Sequence, residues 1–476
     1  MKNVNLVYGV KDKPGFWKTI VFALQQVLAI LAATIVVPFI INGNTADLVA
    51  KGEATVVSNM SQSAALLGAG VGTIVYLLFT KFKSPVFLGS SFAFLGSMTA
   101  AFAGATTAAA GYLGIIVGAI FAGLVYVVIA IAIKFAGVNW IDKLMPAAVI
   151  GPTVAVIGLS LSGNAVGDLT KGAVATCSPW IALLCGLVTL ITVIICSVYG
   201  KKMIKIIPFI IGIIAGYVLA AIFTVIGTVA NVPELKVINF ALFENMQWLP
   251  EFTFVKAFDG EIADFGSLLG TVAVAYIPVA FVVFAEHLAD HKNISSIIGT
   301  DLTKDPGLHR TLLGDGVGSM AGAFFGGCPN TTYGESVGCV AISGNASVVT
   351  IFTAAVICII AAFVAPFVTF LATIPNCVMG GVCFALYGFI AVSGLKMIQK
   401  VDLNENRNLF TVSVILIAGV GGLVLNIGKV TLTAVACALI LGIIVNLITS
   451  KAAKNKDCAD GCENCSETDV CVKDKE

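Results

Sequence analysis

Two acidic residues sit where acids are costly. Glu335 lies in PNTTYGES (329–336), whose flanks, AFFGGC and VGCVAIS, are apolar enough to enter a lipid bilayer. Glu286 lies in FAEHLADHKN (284–293), after about twenty uncharged residues that begin at Phe265. A carboxylate at the centre of a bilayer costs roughly 2.5–3.5 kcal/mol on insertion scales, so it marks a site unless a partner or cavity accounts for it. His287, Asp290 and His291 follow Glu286 toward the end of the same segment. His287 is expected to be packed and hydrogen-bonded, whereas Asp290 and His291 stand open between solvated helix-end charge and site residues.

Carboxylates accept hydrogen bonds from N–H groups, and backbone amides freed by a helix break donate to C=O groups. Phe92 and Tyr333 offer faces for a flat ring. A small planar molecule with alternating N–H donors and C=O acceptors fits that set, as a nucleobase does. A carboxylate held away from water can also exchange a proton near neutral pH, which supplies a coupling route without metal or ATP.

The elements that position these residues follow from composition. The 476 residues are 58% hydrophobic and 11% charged, with mean hydropathy +1.01. Soluble domains carry about 25% charge. Residues 84–133 contain no Asp, Glu, Lys or Arg, and about 20 apolar residues suffice to cross a bilayer. The chain is a multispan membrane protein, and its composition gives no basis for nucleic-acid binding. Four Lys precede an apolar run from Phe22 to Ile41, which is long for a cleaved leader and is expected to stay as the first span.

Fourteen spans are expected, centred near residues 30, 70, 95, 122, 153, 187 and 215, then near 276, 318, 338, 358, 385, 416 and 440. With that count, Lys51, Lys171, Lys236, Lys256 and Lys429 fall on one side and the other 22 of the 27 Lys and Arg on the opposite side. Cytoplasmic loops concentrate Lys and Arg, so both termini are expected in the cytoplasm and the chain in the plasma membrane. A polar connection near 230–265 divides two halves of seven spans. An odd number per half inverts the second half relative to the first, as in many secondary transporters. Pro146 with Gly151 and Pro375 with Gly380 open the fifth span of each half. LGSSFAFLGS (88–97) and PNTTYGES mark the third. Both third spans read as broken, and irregular backbone at that depth must line a cavity or be buried in protein.

Gly318, Gly322 and Gly326 recur every fourth residue and are expected to form a ridge for close helix packing. GAGVG (68–72) lacks the strand–helix context of a dinucleotide loop. The 13 Cys are mostly single residues in apolar segments and imply no disulfide framework. Cys458, Cys462, Cys465 and Cys471 in the acidic tail could hold Zn²⁺, but their spacing is not a standard one and a disordered tail without metal is expected.

The motifs LGSSFAF (88–94), AEH (285–287), DPGLHR (305–310), PNTTYGES, MGGV (379–382) and LYG (386–388) resemble those of the nucleobase–ascorbate transporter family, across residues from about 15 to 450. PNTTYGE and DPGLHR are the specific signals. The resemblance implies an all-α polytopic membrane protein of 14 transmembrane spans in a 7+7 inverted repeat, with short β-strands in broken spans 3 and 10. It implies a core domain of spans 1–4 (1–134) and 8–11 (265–372), and a gate domain of spans 5–7 (135–228) and 12–14 (373–450). An extracytoplasmic connection (229–264) and the cytoplasmic tail (451–476) complete the division.

The same resemblance implies a secondary active transporter, not an enzyme, importing uracil with protons by alternating access of core against gate. Glu286 and Glu335 would be the substrate carboxylates. Phe92 and Gly334 would offer backbone N–H groups, with Tyr333 beside them. Glu286 is the expected proton carrier, with Asp290 and His291 in the coupling group, and no cofactor is expected. Xanthine and urate members commonly carry Gln at the position of Glu335, which favours a pyrimidine. Two departures stand out: Asp290 replaces a His found one turn after the first Glu, and Gln25–Gln26 replaces a QH pair in span 1. The alternatives are a purine or xanthine permease of the same family, an anion exchanger on the same architecture, and a nucleobase sensor. The expected partners are uracil or a related nucleobase and the bilayer, with a homodimer left open.

Overall fold

Backbone groups in hydrocarbon find no water and must pair within their own segment, so the long apolar runs become helices. The computed structural model describes residues 6–137, 139–201, 203–260, 265–427 and 430–462. The first half contains α1 (Phe16–Ala50), α2 (Gln62–Phe79), the strand β1 (Leu88–Ser90), α3 (Leu95–Ala103) and α4 (Ala108–Ala136). It continues through α5 (Asn139–Leu144), α6 (Ala147–Ser160), α7 (Ser162–Asp168), α8 (Pro179–Tyr199), α9 (Met203–Ile206) and α10 (Pro208–Val229). A connection with the short α11 (Thr253–Phe258) leads to α12 (Phe265–Ile298), α13 (Leu308–Gly326), β2 (Asn330–Thr332) and α14 (Gly334–Ser343). Beyond these lie α15 (Val348–Ala362), α16 (Ala365–Thr373), α17 (Asn376–Ile398), α18 (Asn406–Val420), the hairpin β3 (Leu425–Ile427) and β4 (Val430–Leu432), and α19 (Ala434–Cys462). That hairpin was not anticipated. Cys465 and Cys471 of the tail lie outside the described residues, and the side chains of Cys458 and Cys462 are likewise not described.

Eight helical stretches among the described residues are long and apolar enough to cross a membrane: α1, α2, α4, α6 with α7, α8, α10, α12 and α17. Counting α15 and α16, which bend by 82° at their junction, gives nine. The fold is thus a mostly helical, multi-pass membrane architecture. The count falls below fourteen for a local reason. The expected third and tenth spans each hold only a three-residue strand and a helix of nine or ten residues. α18 has 15 residues, the apolar part of α19 runs only from Ala434 to Thr449, and α13 carries His309, Arg310 and Asp315.

The chain departs from helix at β2 because of its punctuation. Gly327 takes φ +74, a left-handed conformation that suits glycine, and ends α13. Pro329 follows, the β-branched Thr331 and Thr332 extend, and α14 then runs until Gly344 closes it at φ +68. β1 and β2 pair antiparallel, with Leu88 opposite Thr332, Gly89 opposite Thr331 and Ser90 opposite Asn330. Ser91 N donates to Pro329 O at 2.9 Å and Tyr333 N to Phe87 O at 3.2 Å, extending the ladder at both ends. Leu88 N donates to Thr73 Oγ1 of α2 at 2.9 Å.

The glycine ridge carries this strand pair. A Cβ on Gly68 would lie 2.6 Å from Gly322 O, and one on Gly72 would lie 2.7 Å from Gly318 O, so α2 and α13 meet backbone to backbone. GAGVG is therefore helix surface, in keeping with its rejection as a nucleotide loop. Asn330 of β2 fills the remaining space: its Nδ2 donates to Gly68 O at 2.9 Å and sits 2.3 Å from where a Cβ of Gly72 or Gly322 would fall. A second seam joins α6 to α17, where a Cβ on Gly158 would lie 2.4 Å from Tyr387 O and one on Gly394 2.3 Å from Ala155 N. Pro146 and Pro375 precede these two helices at corresponding points.

Overpacking a tight core costs roughly 1–3 kcal/mol. Gly68→Ala and Gly322→Ala are each expected to lower thermal stability in detergent by that order, because backbone and the buried Asn330 cannot move aside. Gly338→Ala, at a position with open space around its would-be Cβ, should leave the melting temperature unchanged.

Candidate functional site

α12 and α14 bring the two predicted acids to the strand pair. Glu335 occupies the first turn of α14, where unpaired N–H groups and the positive end of the helix favour negative charge. Glu286 is half-buried midway along α12 and interacts electrostatically with Asp290, Glu335 and Asp315. Tyr333 lies within electrostatic reach of both Glu286 and Glu335. Gly334 is exposed, and a Cβ there would sit 3.8 Å from Asp290 Oδ1. Glu286, Asp290, Gly334 and Glu335 therefore gather at one place, beside the start of α14.

The two aromatic candidates differ in placement. Phe92 follows β1 and packs edge-on against Tyr387 of α17, with centroids 6.0 Å apart. Tyr333 is 3% exposed. Its ring covers Gly89, leaving no room for a Cβ there, and its hydroxyl donates to Ser90 O at 2.8 Å. It braces the two strands against each other.

Asp290 and His291 separate. Asp290 Oδ2 accepts from Thr332 Oγ1 at 2.9 Å, on the strand side of α12. His291 is fully buried: its Nδ1 donates to His287 O at 2.8 Å and its Nε2 meets the Tyr76 hydroxyl of α2 at 2.7 Å. His287 is buried and hydrogen-bonded, as expected. Its Nε2 contacts Thr311 Oγ1 at 3.0 Å, and since that hydroxyl donates to Leu308 O, the imidazole is the donor there. The other nitrogen, Nδ1, lies 2.7 Å from Asp315 Oδ2, a contact that requires one proton between them. The His287–Asp315 pair is therefore neutral as a whole, which is how a charged group tolerates complete burial.

Sequence reasoning missed three contributors. Asp315 stands alone among glycines in LLGDGVGSM, and an isolated acid within a span is a signal that was there to be read. Ser336 accepts from Gln26 Nε2 and from Phe87 N at 3.1 Å, so Gln26 pins the start of α14 to α1 and β1. The hydroxyls of Ser91 and Thr331, at the strand pair, are buried and have no hydrogen-bond partner among the described residues, although buried polar atoms are usually paired. No cluster of metal-ligating side chains exists among the described residues.

Residues 17–428 match the model of the Permease family, Xan_ur_permease. The chain is 38% identical to the uracil permease of Bacillus caldolyticus, over 93% of this chain and 94% of that protein. It is 36% identical to the uracil permease of Bacillus subtilis (strain 168), over 96% and 97%, and 34% identical to that of Escherichia coli (strain K12), over 92% and 93%. Among solved structures, the transmembrane domain of the cyanobacterial bicarbonate transporter BicA aligns with TM-score 0.60 at 16% identity, covering 92% of this chain and all of that one. The murine Slc26a9 anion transporter in the inward-facing state aligns with TM-score 0.61 at 13% identity, covering 93% and 69%. At those identities the likeness is one of fold.

A neutral His287–Asp315 pair has a measurable consequence. Asp315→Asn retains an N–H donor for His287 Nδ1 and should unfold near the wild-type temperature. Asp315→Ala strands the imidazole and should cost about 1–3 kcal/mol, read as a lower melting temperature of the purified protein.

Proposed function

The chain belongs to the Permease family, the nucleobase–ascorbate transporters, and from that membership we propose that it imports uracil by proton-coupled secondary active transport. It is a transporter and not an enzyme, and the relatives named above are uracil permeases. The observation that carries the finer reading is that Asp290, one helical turn from Glu286 on α12, meets Thr332 of β2 and Gly334 at the start of α14, whose first turn carries Glu335. Uracil offers N–H donors to the two carboxylates, and its carbonyl oxygens meet the backbone N–H groups of Phe92 and Gly334. Phe92 covers the ring. Glu286, with Asp290 next to it, takes up the coupling proton. An anion exchanger is not favoured, because two carboxylates at the site oppose an anion.

We place fourteen crossings in two inverted halves in the plasma membrane, with both termini cytoplasmic. The five crossings beyond the nine counted by length are β1 with α3, α13, β2 with α14, α18 and α19. The antiparallel pairing of β1 with β2, each followed by a short helix, supports the inverted relation. α2, α3, α4, α12 and α13 pack on one another as the core, and α6, α8, α10, α17 and α18 as the gate. Alternating access then moves one group against the other.

Glu286→Gln and Glu335→Gln are each expected to abolish concentrative uracil uptake. Losing one partner of a buried hydrogen bond is worth about 1–3 kcal/mol, or roughly fivefold to two-hundredfold in affinity, and more when the partner is charged. Uptake of radiolabelled uracil into proteoliposomes, with and without a proton gradient, checks this; accumulation that follows Na⁺ and ignores pH would refute proton coupling. The boundary between the two groups is crossed by Asn164 Nδ2, which donates to Asn44 Oδ1 at 3.0 Å, on the side with few cations. Joining Asn44→Cys to Asn164→Cys by oxidation should block uptake, and reductant should restore it.

A further inference from the structure

At the start of α1 a shallow groove of about 400 Å³ is lined by Val7, Tyr8, Trp17, Lys18, Val21 and Phe22. Its volume falls within the range of small-ligand sites. One end is polar: Lys18 Nζ lies 3.2 Å from the Tyr8 hydroxyl and 6.0 Å from the centre of its ring. The other end is apolar and open, with Trp17 and Val21 both largely exposed. Lys11 and Lys13 are exposed close by, while the carboxylate of Asp12 is taken by Gly9 N at 2.7 Å.

We propose that this groove binds an anionic phospholipid of the cytoplasmic leaflet, with its phosphate on Lys18 and the Tyr8 hydroxyl and its acyl chain along Trp17 and Val21. Three observations converge on that occupant. Lysines near an anionic leaflet each contribute about 1 kcal/mol of attraction, and in the topology proposed above this end of the chain lies on the cation-rich side. Exposed Phe16 and Trp17 are residues of the headgroup level, where amphipathic rings settle. The groove grades from cation to hydrocarbon as a glycerophospholipid does, whereas a soluble anion would leave the apolar end unused.

The groove has a second wall that matters. Val7 N and Tyr8 N donate to Gly344 O at 2.8 and 3.2 Å, Ala346 N donates to Tyr8 O at 2.9 Å, and Ser347 Oγ donates to Asp12 O at 2.6 Å. The N-terminal segment is thereby strapped over the loop that ends α14, the helix carrying Glu335. A lipid seated against Tyr8 holds that strap in place.

Native mass spectrometry of the full chain in uncharged detergent, given equimolar phosphatidylglycerol and phosphatidylcholine, tests the site. The wild type should retain phosphatidylglycerol in preference and gain thermal stability from it. Lys18→Gln should weaken that retention about fivefold, to the level of phosphatidylcholine, and Lys400→Gln, at an exposed cation elsewhere, should not. Trp17→Ala keeps the charge and should also lose the lipid, which covers the case in which Lys18→Gln fails to fold. Equal retention of the two lipids by the wild type, or undiminished phosphatidylglycerol on Lys18→Gln or Trp17→Ala, overturns the proposal. Equal stabilisation by soluble glycerol phosphate assigns a simple anion site and overturns it as well.

Discussion

The structure turns on one constraint: two stretches of extended backbone lie deep in a protein whose surroundings offer no water. Each leaves a row of N–H and C=O groups that helix geometry does not satisfy, and each unsatisfied group in hydrocarbon costs several kcal/mol. β1 and β2 resolve this by pairing with each other, and Thr73 of α2 takes the Leu88 N–H. Neither strand would be stable there alone. Residues about 240 positions apart in sequence are thus tied at the centre of the fold by backbone chemistry, and α3 and α14 leave from that point.

Holding a strand pair in place requires neighbours that come close. α2 and α13 do so because their facing positions are glycine, and the close approach creates the narrow slot that Asn330 occupies. Ser336 performs the matching task at the other end of β2, gathering Gln26 and Phe87 N onto the first turn of α14. The position of Glu335 is therefore set from outside its own helix, by α1, by α2 and α13, and by the strand pair. A carboxylate whose location is fixed from several sides is suited to work in which an ångström matters.

Much of this was legible in the chain before any coordinates, and the reasons differ by feature. The breaks at PNTTYGES and GSSFAF were readable because glycine and hydroxyls, with Pro329 in the first, are conspicuous between apolar flanks. The glycine ridge of α13 was readable from its period of four. Its partners on α2 were not assigned, since Gly68 and Gly72 are four apart too but lay in a stretch judged only as a failed nucleotide loop. The role of Gln26 was hidden because its contact is 310 residues away in sequence, and no local rule sees that far. The β3–β4 hairpin has weak strand signals and was passed over. The ring of Tyr333 lies over Gly89 of β1, a contact set by strand pairing between residues about 240 positions apart and so hidden from local pattern.

AEHLADH is where residue spacing says most about the chemistry. Helical positions four apart share a face, and neighbours differ by about 100°. Glu286 and Asp290 are four apart, and so are His287 and His291, so the segment carries two stripes. The acidic stripe meets Thr332 and the start of α14. The imidazole stripe meets Thr311, Asp315 and Tyr76, its two rings stacked 3.9 Å apart. Stacked imidazoles that close disfavour simultaneous positive charge, and the hydrogen bonds of each ring are met within the packed interior. An imidazole at 291 rather than 290 therefore lies off the acidic stripe and in the packing. It leaves Asp290 to face the strands, with a second acid one turn from Glu286. The acidic stripe presents two carboxyl groups on one helix face, one turn apart, and the histidines behind them hold α12 against α2 and α13.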